Sequence, residues 1–279
     1  MLASHQSWKW PRVVDATKMR VRVITGAGVS AESGIPTFRG KDGFWRKLNP
    51  AELATPEAFA RDPQLVWEWY RERRQRIRNA QPNAAHEAIV KLVRHANEFL
   101  LITQNVDDLH ARAGFPKEKM VQIHGDIFVT KCSRCDFSQR DDDQDDRQHQ
   151  EGAAGFGVRR HVAALKARTC PPTPKCPACD ALMRPGIVWF GEQLPWNELQ
   201  RVETFLDGGA CDIVIVAGTT ATFGYIIDWA LRGSRDRGEL IEVNPEETSL
   251  SRFATRLIRG PAATALPRLV DDLTNRNAL

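Results

Sequence analysis

Four short runs of mostly apolar, β-branched residues recur along the chain, at 21–25, 99–103, 212–217 and 239–243. Each is nearly continuous in hydrophobicity rather than alternating, which predicts strands buried on both faces. Between them the spacing turns helical. Residues 63–79 open on a proline and carry Leu65, Trp69 and Ile77 among charges, and 84–95 repeats apolar positions at helical intervals. Strands alternating with helices predict an α/β architecture, a parallel sheet with helices on both faces. The rhythm breaks over 129–184. That stretch carries two Cys-x-x-Cys pairs, an acidic run at 141–146, glycines at 152, 155 and 157, and prolines at 171, 172 and 174. It reads as a small inserted module, with the acidic run as a solvated loop. The expected division is an N-terminal extension at 1–18, a large domain from 19–128 and 185–279, and the small module at 129–184. No internal repeat is evident.

Length and composition narrow this picture little. A chain of 279 residues, 42% hydrophobic, can bury one large core with a small companion. Its net charge of +4, from 39 basic and 35 acidic residues, gives no reason to expect nucleic acid as an obligate partner. No apolar run approaches a membrane span. The first 18 residues lack the apolar core of a signal peptide, so a cytoplasmic location is expected. A monomer is favoured.

The chemistry is concentrated in a few segments. The first strand ends in Gly26-Ala-Gly-Val-Ser-Ala31, a G-x-G-x-x-A turn that lets backbone approach a pyrophosphate at a helix N-terminus. A glycine turn with no ligand competes with that reading. A dehydrogenase would place an acidic residue at the end of a second strand about 20 residues on. Here Pro36-Thr-Phe-Arg-Gly40 follows instead, which argues against hydride transfer. Thr103-Gln-Asn-Val-Asp107 puts polar side chains at the carboxyl end of another strand; helix capping by Asp107 or Asp108 accounts for part of it. His124 stands between Ile123 and Gly125-Asp126, while His86 and His110 read as structural.

Cys132-Ser-Arg-Cys135 and Cys176-Pro-Ala-Cys179 have the spacing that places two thiolates on one ion. Two such pairs suggest one structural, four-cysteine zinc site per chain. With four protein ligands no position is left for a reacting water. Cys170 reads as a spare thiol or a competing ligand, and Cys211 as buried.

Taken together and in this order, the 26–40 loop, the 103–110 segment, His124-Gly-Asp126 and the two cysteine pairs closely resemble the sirtuin family, the NAD-consuming protein-lysine deacylases. The resemblance runs from about residue 21 to about residue 273. It implies a Rossmann-like parallel sheet with helices on both faces plus a small zinc-binding module. It implies NAD as co-substrate, contacted by Gly26, Ala27, Gly28, Ser30, Ile35, Pro36, Phe38, Arg39, Trp45, Gln104, Asn105, Val106, Asp107, Gly218, Thr219, Thr220, Asn244, Pro245 and Ala262. Asn105 and Asp107 would form the pocket for the nicotinamide amide. Asn105 and His124 would be catalytic, His124 as the base that removes a ribose hydroxyl proton. The products would be nicotinamide, O-acyl-ADP-ribose and free lysine. Gly186-Ile-Val-Trp-Phe-Gly-Glu192 matches the family's substrate strand, so backbone around Val188, Phe190, Gly191 and Glu192 would pair with an extended acylated peptide, with Ile187 and Trp189 as core. After Gly218-Thr219-Thr220 the chain departs from the family. A Pro-Ala pair is expected there, and Ala221-Thr-Phe-Gly-Tyr225 stands instead.

Tyr70 and Arg73 are three apart on a predicted helix also carrying Arg71, Arg74, Arg76 and Arg78; by itself this reads as a solvated basic face. Class III sirtuins carry Tyr-x-x-Arg at this place and a small alanine sixteen residues earlier, here Ala54. The resemblance therefore implies removal of succinyl and malonyl groups from lysine, with acetyl removal left open. Two rivals stand beside it: a protein mono-ADP-ribosyltransferase, and a zinc-containing NAD or ADP-ribose sensor without catalysis.

Overall fold

The computed structural model describes residues 19–37, 53–141, 171–234 and 238–275. In chain order the elements are β1 (Arg20–Thr25), α1 (Pro56–Arg61), α2 (Pro63–Asn79), α3 (Ala84–Val93), β2 (Glu98–Thr103), α4 (Leu109–Arg112), β3 (Met120–Gln122), β4 (Gly125–Cys132), β5 (Ser138–Arg140), β6 (Met183–Ile187), α5 (Trp196–Asp207), β7 (Ile213–Ala217), α6 (Gly224–Gly233), β8 (Glu239–Val243), β9 (Arg256–Ile258) and α7 (Ala262–Asn275). Six strands form one sheet in the order β3-β2-β1-β7-β8-β9. Every pairing in it is parallel.

Residue alternation explains why the strands read as continuous apolar runs. Val21, Val23, Leu101, Ile215 and Ile241 face one side, where Ile89 and Leu92 of α3 meet Leu266 and Leu269 of α7. Ile24, Leu100, Ile102, Val214 and Val216 face the other, against Val202 of α5 and Ile226 and Trp229 of α6. Helices therefore cover both faces, as parallel sheets require. Arg22 and Glu242 are charged residues buried within these strands. Fully buried, Arg22 donates to the Trp229 carbonyl and lies 3.7 Å from the Cys211 sulfur.

The chain leaves β1 in both directions: β2 and β3 lie on one side, β7 to β9 on the other. The reversal point between β1 and β7 is where open α/β sheets bind ligands. Backbone is packed very tightly there. Gly28 donates to the Gly218 carbonyl at 2.8 Å, and a Cβ on Gly28 would lie 2.7 Å from the Gly218 Cα. Gly218 itself has φ +62°.

A second, antiparallel sheet has the order β5-β4-β6. A third apolar cluster joins it to α1 and α2 through Phe59, Trp67, Ile77, Ile127 and Trp189. Three expectations need correction here. Arg74 is not on a solvated basic face. It is 3% exposed and donates to the carbonyls of Ile127 and Val129 and to Thr130, binding α2 to β4. Asp141, first of the acidic run, is the partner of Arg74 and not a solvated side chain; the rest of the run lies outside the described residues. The helix read over 84–95 ends at Val93, where Arg94 turns and the His95 imidazole lies 2.9 Å from the Lys91 carbonyl.

Candidate active site and metal centre

The carboxyl ends of β1, β2, β7 and β8 open into one cavity of about 630 Å³. Its floor is Gly26, Ala27 and Gly28 beside Gly218, Thr219 and Thr220, and Asn244, Pro245 and Ala262 close one end. The glycine turn continues into two 3₁₀ turns, Ala27–Val29 and Ala31–Ser33. Gln104 donates to Thr219 Oγ1 at 3.0 Å, and Asn244 donates to the Thr219 carbonyl at 2.9 Å. Three strand ends are thus held together by side-chain amides.

Asn105 and Val106 line the cavity, with Asn105 only 5% exposed. Ser30 and Asp107 stand behind this wall, outside the lining. Asn105 donates to Ser30 Oγ at 3.1 Å, and Ser30 donates to Asp107 Oδ2 at 3.0 Å. Asp107 also accepts from the Leu109 amide, so the capping expectation holds for Asp107; Asp108 caps nothing with its side chain. Burial pushes the Asp107 carboxyl up to about 6. Ile35 and Pro36 do not line the cavity; Phe38, Arg39 and Trp45 lie outside the described residues.

His124 enters from the junction of β3 and β4. The Ile123 amide donates to the Thr103 carbonyl, and the Val188 amide donates to the His124 carbonyl. Gly125 follows with φ +82°, and a Cβ there would strike the Gly186 carbonyl at 2.3 Å, so the chain turns where only glycine fits. His124 Nδ1 lies 2.9 Å from the Gln104 carbonyl and Nε2 lies 2.6 Å from the Tyr225 hydroxyl. Burial lowers the pKa of His124, which favours the neutral ring. His86 and His110 prove structural. His86 completes the Asn83 capping box of α3, and His110 lies 3.2 Å from Thr25 Oγ1.

The far wall is α2 and the 187–192 segment. Ala54, Tyr70 and Arg73 all line the cavity and are all buried. Trp189 Nε1 donates to the Tyr70 hydroxyl at 3.1 Å, and the Arg73 guanidinium lies 4.7 Å from the Trp69 ring centre and 5.5 Å from that of Tyr70. Burial lowers the pKa of Arg73 and pushes Tyr70 up to about 12. Val188, Phe190, Gly191 and Glu192 line the same cavity, but β6 ends at Ile187. Phe190 donates its amide to the Ala54 carbonyl, and Glu192 pairs with Arg184 and accepts from the Trp189 amide. Ile187 and Trp189 are buried core, as read.

Sequence reasoning missed Phe223 and Tyr225, which line the cavity next to His124. Their signal was the departure after Thr220, visible in the sequence but without a stated contact.

The four cysteines converge. Their sulfurs lie within 4.8 Å of one another; Cys132 and Cys179 are 3.5 Å apart, Cys135 and Cys176 3.7 Å. Four sulfurs at the usual Zn–S length of about 2.3 Å in a tetrahedron stand about 3.8 Å apart, so the set fits zinc without rearrangement. The Arg134 and Cys135 amides point at the Cys132 sulfur, which supports a thiolate there. Cys170 lies outside the described residues.

Fold and site define a class: a doubly wound α/β protein with a dinucleotide-sized cavity at its switch point and a closed four-cysteine centre. A family profile described as the Sir2 family matches residues 26–223. An NAD-dependent protein deacylase 1 of Archaeoglobus fulgidus is 44% identical over 247 residues, 88% of this chain and 90% of that protein. An NAD-dependent protein deacylase of Pyrococcus abyssi is 42% identical over 268 residues, covering 94% and 96%. Among solved structures, a Sir2 homologue in complex with NAD superposes with a TM-score of 0.75 at 40% identity over 94% of this chain and 92% of that one. A Sir2 homologue mutant with ADP ribose gives 0.79 at 41%, covering 95% and 96%. The chain belongs to the Sir2 family.

Proposed function

We propose that this protein is an NAD-dependent protein-lysine deacylase that favours acyl groups ending in a carboxylate, succinyl and malonyl. The observation that carries the preference is a buried cation in an apolar wall. Arg73 lines the cavity beside Ala54, Trp69, Tyr70, Val106 and Ile187. A guanidinium that lines the cavity and is only 8% exposed offers a planar fork that suits a carboxylate, and low exposure strengthens a charge-assisted contact there. Tyr70 adds a hydroxyl, and Ala54 takes little space. An acetyl group would offer neither charge nor reach.

NAD supplies the ribose that accepts the acyl group. Gly26, Ala27, Gly28, Gly218 and Thr219 would hold it by close backbone approach, with Asn244, Pro245 and Ala262 at its adenosine end. Asn105, braced by Ser30 and Asp107, would orient the nicotinamide amide. His124 acts as base. Residues 188–192 would meet the peptide through backbone groups other than the amides of Val188, Trp189, Phe190 and Glu192, which are bonded within the chain. Zinc at Cys132, Cys135, Cys176 and Cys179 is structural. The division into 19–128 with 185–279 and a zinc module at 129–184 belongs to the same reading. So does action in the cytoplasm, where thiolate zinc sites persist; no helix among the described residues is long and apolar enough to cross a membrane.

The test is mass spectrometry of acetyl, malonyl and succinyl peptides incubated with and without NAD. Free lysine and nicotinamide should form only with NAD, fastest from the acidic acyl peptides. Mass added to the peptide by ADP-ribose would mean ADP-ribosylation, and NAD binding without turnover would mean a sensor.

A further inference from the structure

His124 has no lone pair facing open space. The Gln104 carbonyl can only accept, so Nδ1 carries the ring proton and Nε2 the lone pair. The Tyr225 hydroxyl occupies that lone pair at 2.6 Å. Tyr225 holds its own proton firmly, since burial raises its pKa above the ordinary phenol value. Nor is its ring free to swing aside. It stacks on Phe223 with ring centres 5.4 Å apart and planes at 11°, and packs on Trp229 at 5.0 Å. Among the described residues the Tyr225 hydroxyl makes no other hydrogen bond, so its oxygen keeps lone pairs, and Tyr225 lines the cavity with His124. This residue belongs to the stretch where the chain departs from its family's Pro-Ala pair.

We propose that Tyr225 is a catalytic residue through which His124 takes the substrate proton. The inference rests on the deacylase reading. The substrate hydroxyl donates its proton to the Tyr225 phenol oxygen as the phenol proton passes to His124 Nε2. One substrate O–H bond and one phenol O–H bond break; one new phenol O–H bond and one N–H bond form. The substrate oxygen keeps the electron pair with which it attacks the acyl carbon. Tyr225 ends neutral and His124 becomes an imidazolium, its Nδ1–H still held by the Gln104 carbonyl.

Y225F removes the hydroxyl and keeps the stacked ring. In the ligand-free protein, ¹⁵N spectra should show the His124 Nε2 signal moving toward that of a lone pair without a donor, with the Nδ1–H signal retained. An unmoved Nε2 signal overturns the contact. With NAD and succinyl peptide, Y225F should release nicotinamide in the first turnover at close to the parent rate, while free lysine forms about a hundredfold more slowly, as expected when a proton-transfer group is lost. Unchanged or faster lysine release would show that Tyr225 only covers the base, and equal loss of both steps would show a structural role. A parent protein that releases no nicotinamide defeats the deacylase reading itself, while the Nε2 signal still reports the contact. Should Y225F not fold, lysine release by the parent in mixtures of light and heavy water decides. Two protons in flight give a curved dependence on deuterium fraction, and a linear one rejects the relay.

Discussion

Arg73 concentrates the electrostatic argument in one side chain. It is 8% exposed, stands over two aromatic rings and lines the cavity that His124 enters. Arg73→Met keeps most of the volume and removes the fork. It should raise the KM for succinyl peptide by ten- to a hundredfold, about 1.5–3 kcal/mol for a charge-assisted hydrogen bond, and leave acetyl peptide nearly unchanged. Steady-state kinetics on both peptides check this, and equal losses would make Arg73 structural. A second residue-scale prediction concerns acid. Burial lowers His86 to about 4 and His110 well below its usual value, so the folded state disfavours both protonated rings. Their contribution is complete above about pH 6.5, the unfolded value, and is lost as the pH falls toward 4. Asp107, raised to about 6, acts oppositely: its contribution is present at low pH and lost as the pH rises from 3.8 to 6. His124, also lowered by burial, adds to the histidines, and Asp108, also raised by burial, adds to Asp107, so three histidines stand against two carboxyls and outweigh them. The melting temperature should rise between pH 4.5 and 6.5, and His86→Gln should flatten that rise. A parent protein with falling stability over this range would contradict the balance.

At the scale of elements, α2 carries more than the acyl pocket. Its Trp67 donates to the Met183 carbonyl of β6 and its Arg74 to two carbonyls of β4. One helix therefore sets both the pocket wall and the seat of the small sheet. Arg74→Met would leave the half-buried Asp141 carboxylate with the Thr130 hydroxyl as its remaining side-chain donor, a loss of about 3 kcal/mol. The melting temperature should fall sharply, and adding Asp141→Asn should recover part of the loss; no recovery would mean that the carbonyl contacts dominate. The cysteine centre sits at the other end of this sheet. Cys132→Ser should lower the metal content from about one zinc per chain and loosen β4 and β6. Elemental analysis and hydrogen exchange of those strands report it, and full zinc retention would mean a different ligand set.

For the whole molecule, the decisive geometry is the reversal between β1 and β7. Gly28 and Gly218 bring two strand ends into backbone contact, and there is no room for a side chain. Gly28→Ala forces that contact apart by several tenths of an ångström. It should abolish measurable NAD binding by calorimetry, with zinc content unchanged, because the zinc centre lies on the other sheet. NAD binding close to the parent's would show that the cavity does not need this approach.

The sequence alone determined what depends on local pattern. The apolar runs of β1, β2, β7 and β8 were legible because a strand buried on both faces leaves a continuous signature, and α2 because proline and helical spacing mark it. The Cys-x-x-Cys pairs were legible because each holds two ligands at a spacing set by the backbone itself. Tertiary structure decided the rest. Short β3 and β9 carry too few residues for a pattern, and α6 and α7 lacked a start signal strong enough to read. Arg73 and Arg74 are neighbours among many arginines, and only the packing of α2 against β4 and β6 turns one toward the cavity and the other toward β4 carbonyls. Ser30, Asn105 and Asp107 are distant or adjacent in sequence without a hint of their hydrogen-bonded chain. His124 and Tyr225 are 101 residues apart. Their contact exists because β4 begins where α6 begins in space, and no local rule encodes a meeting of that kind.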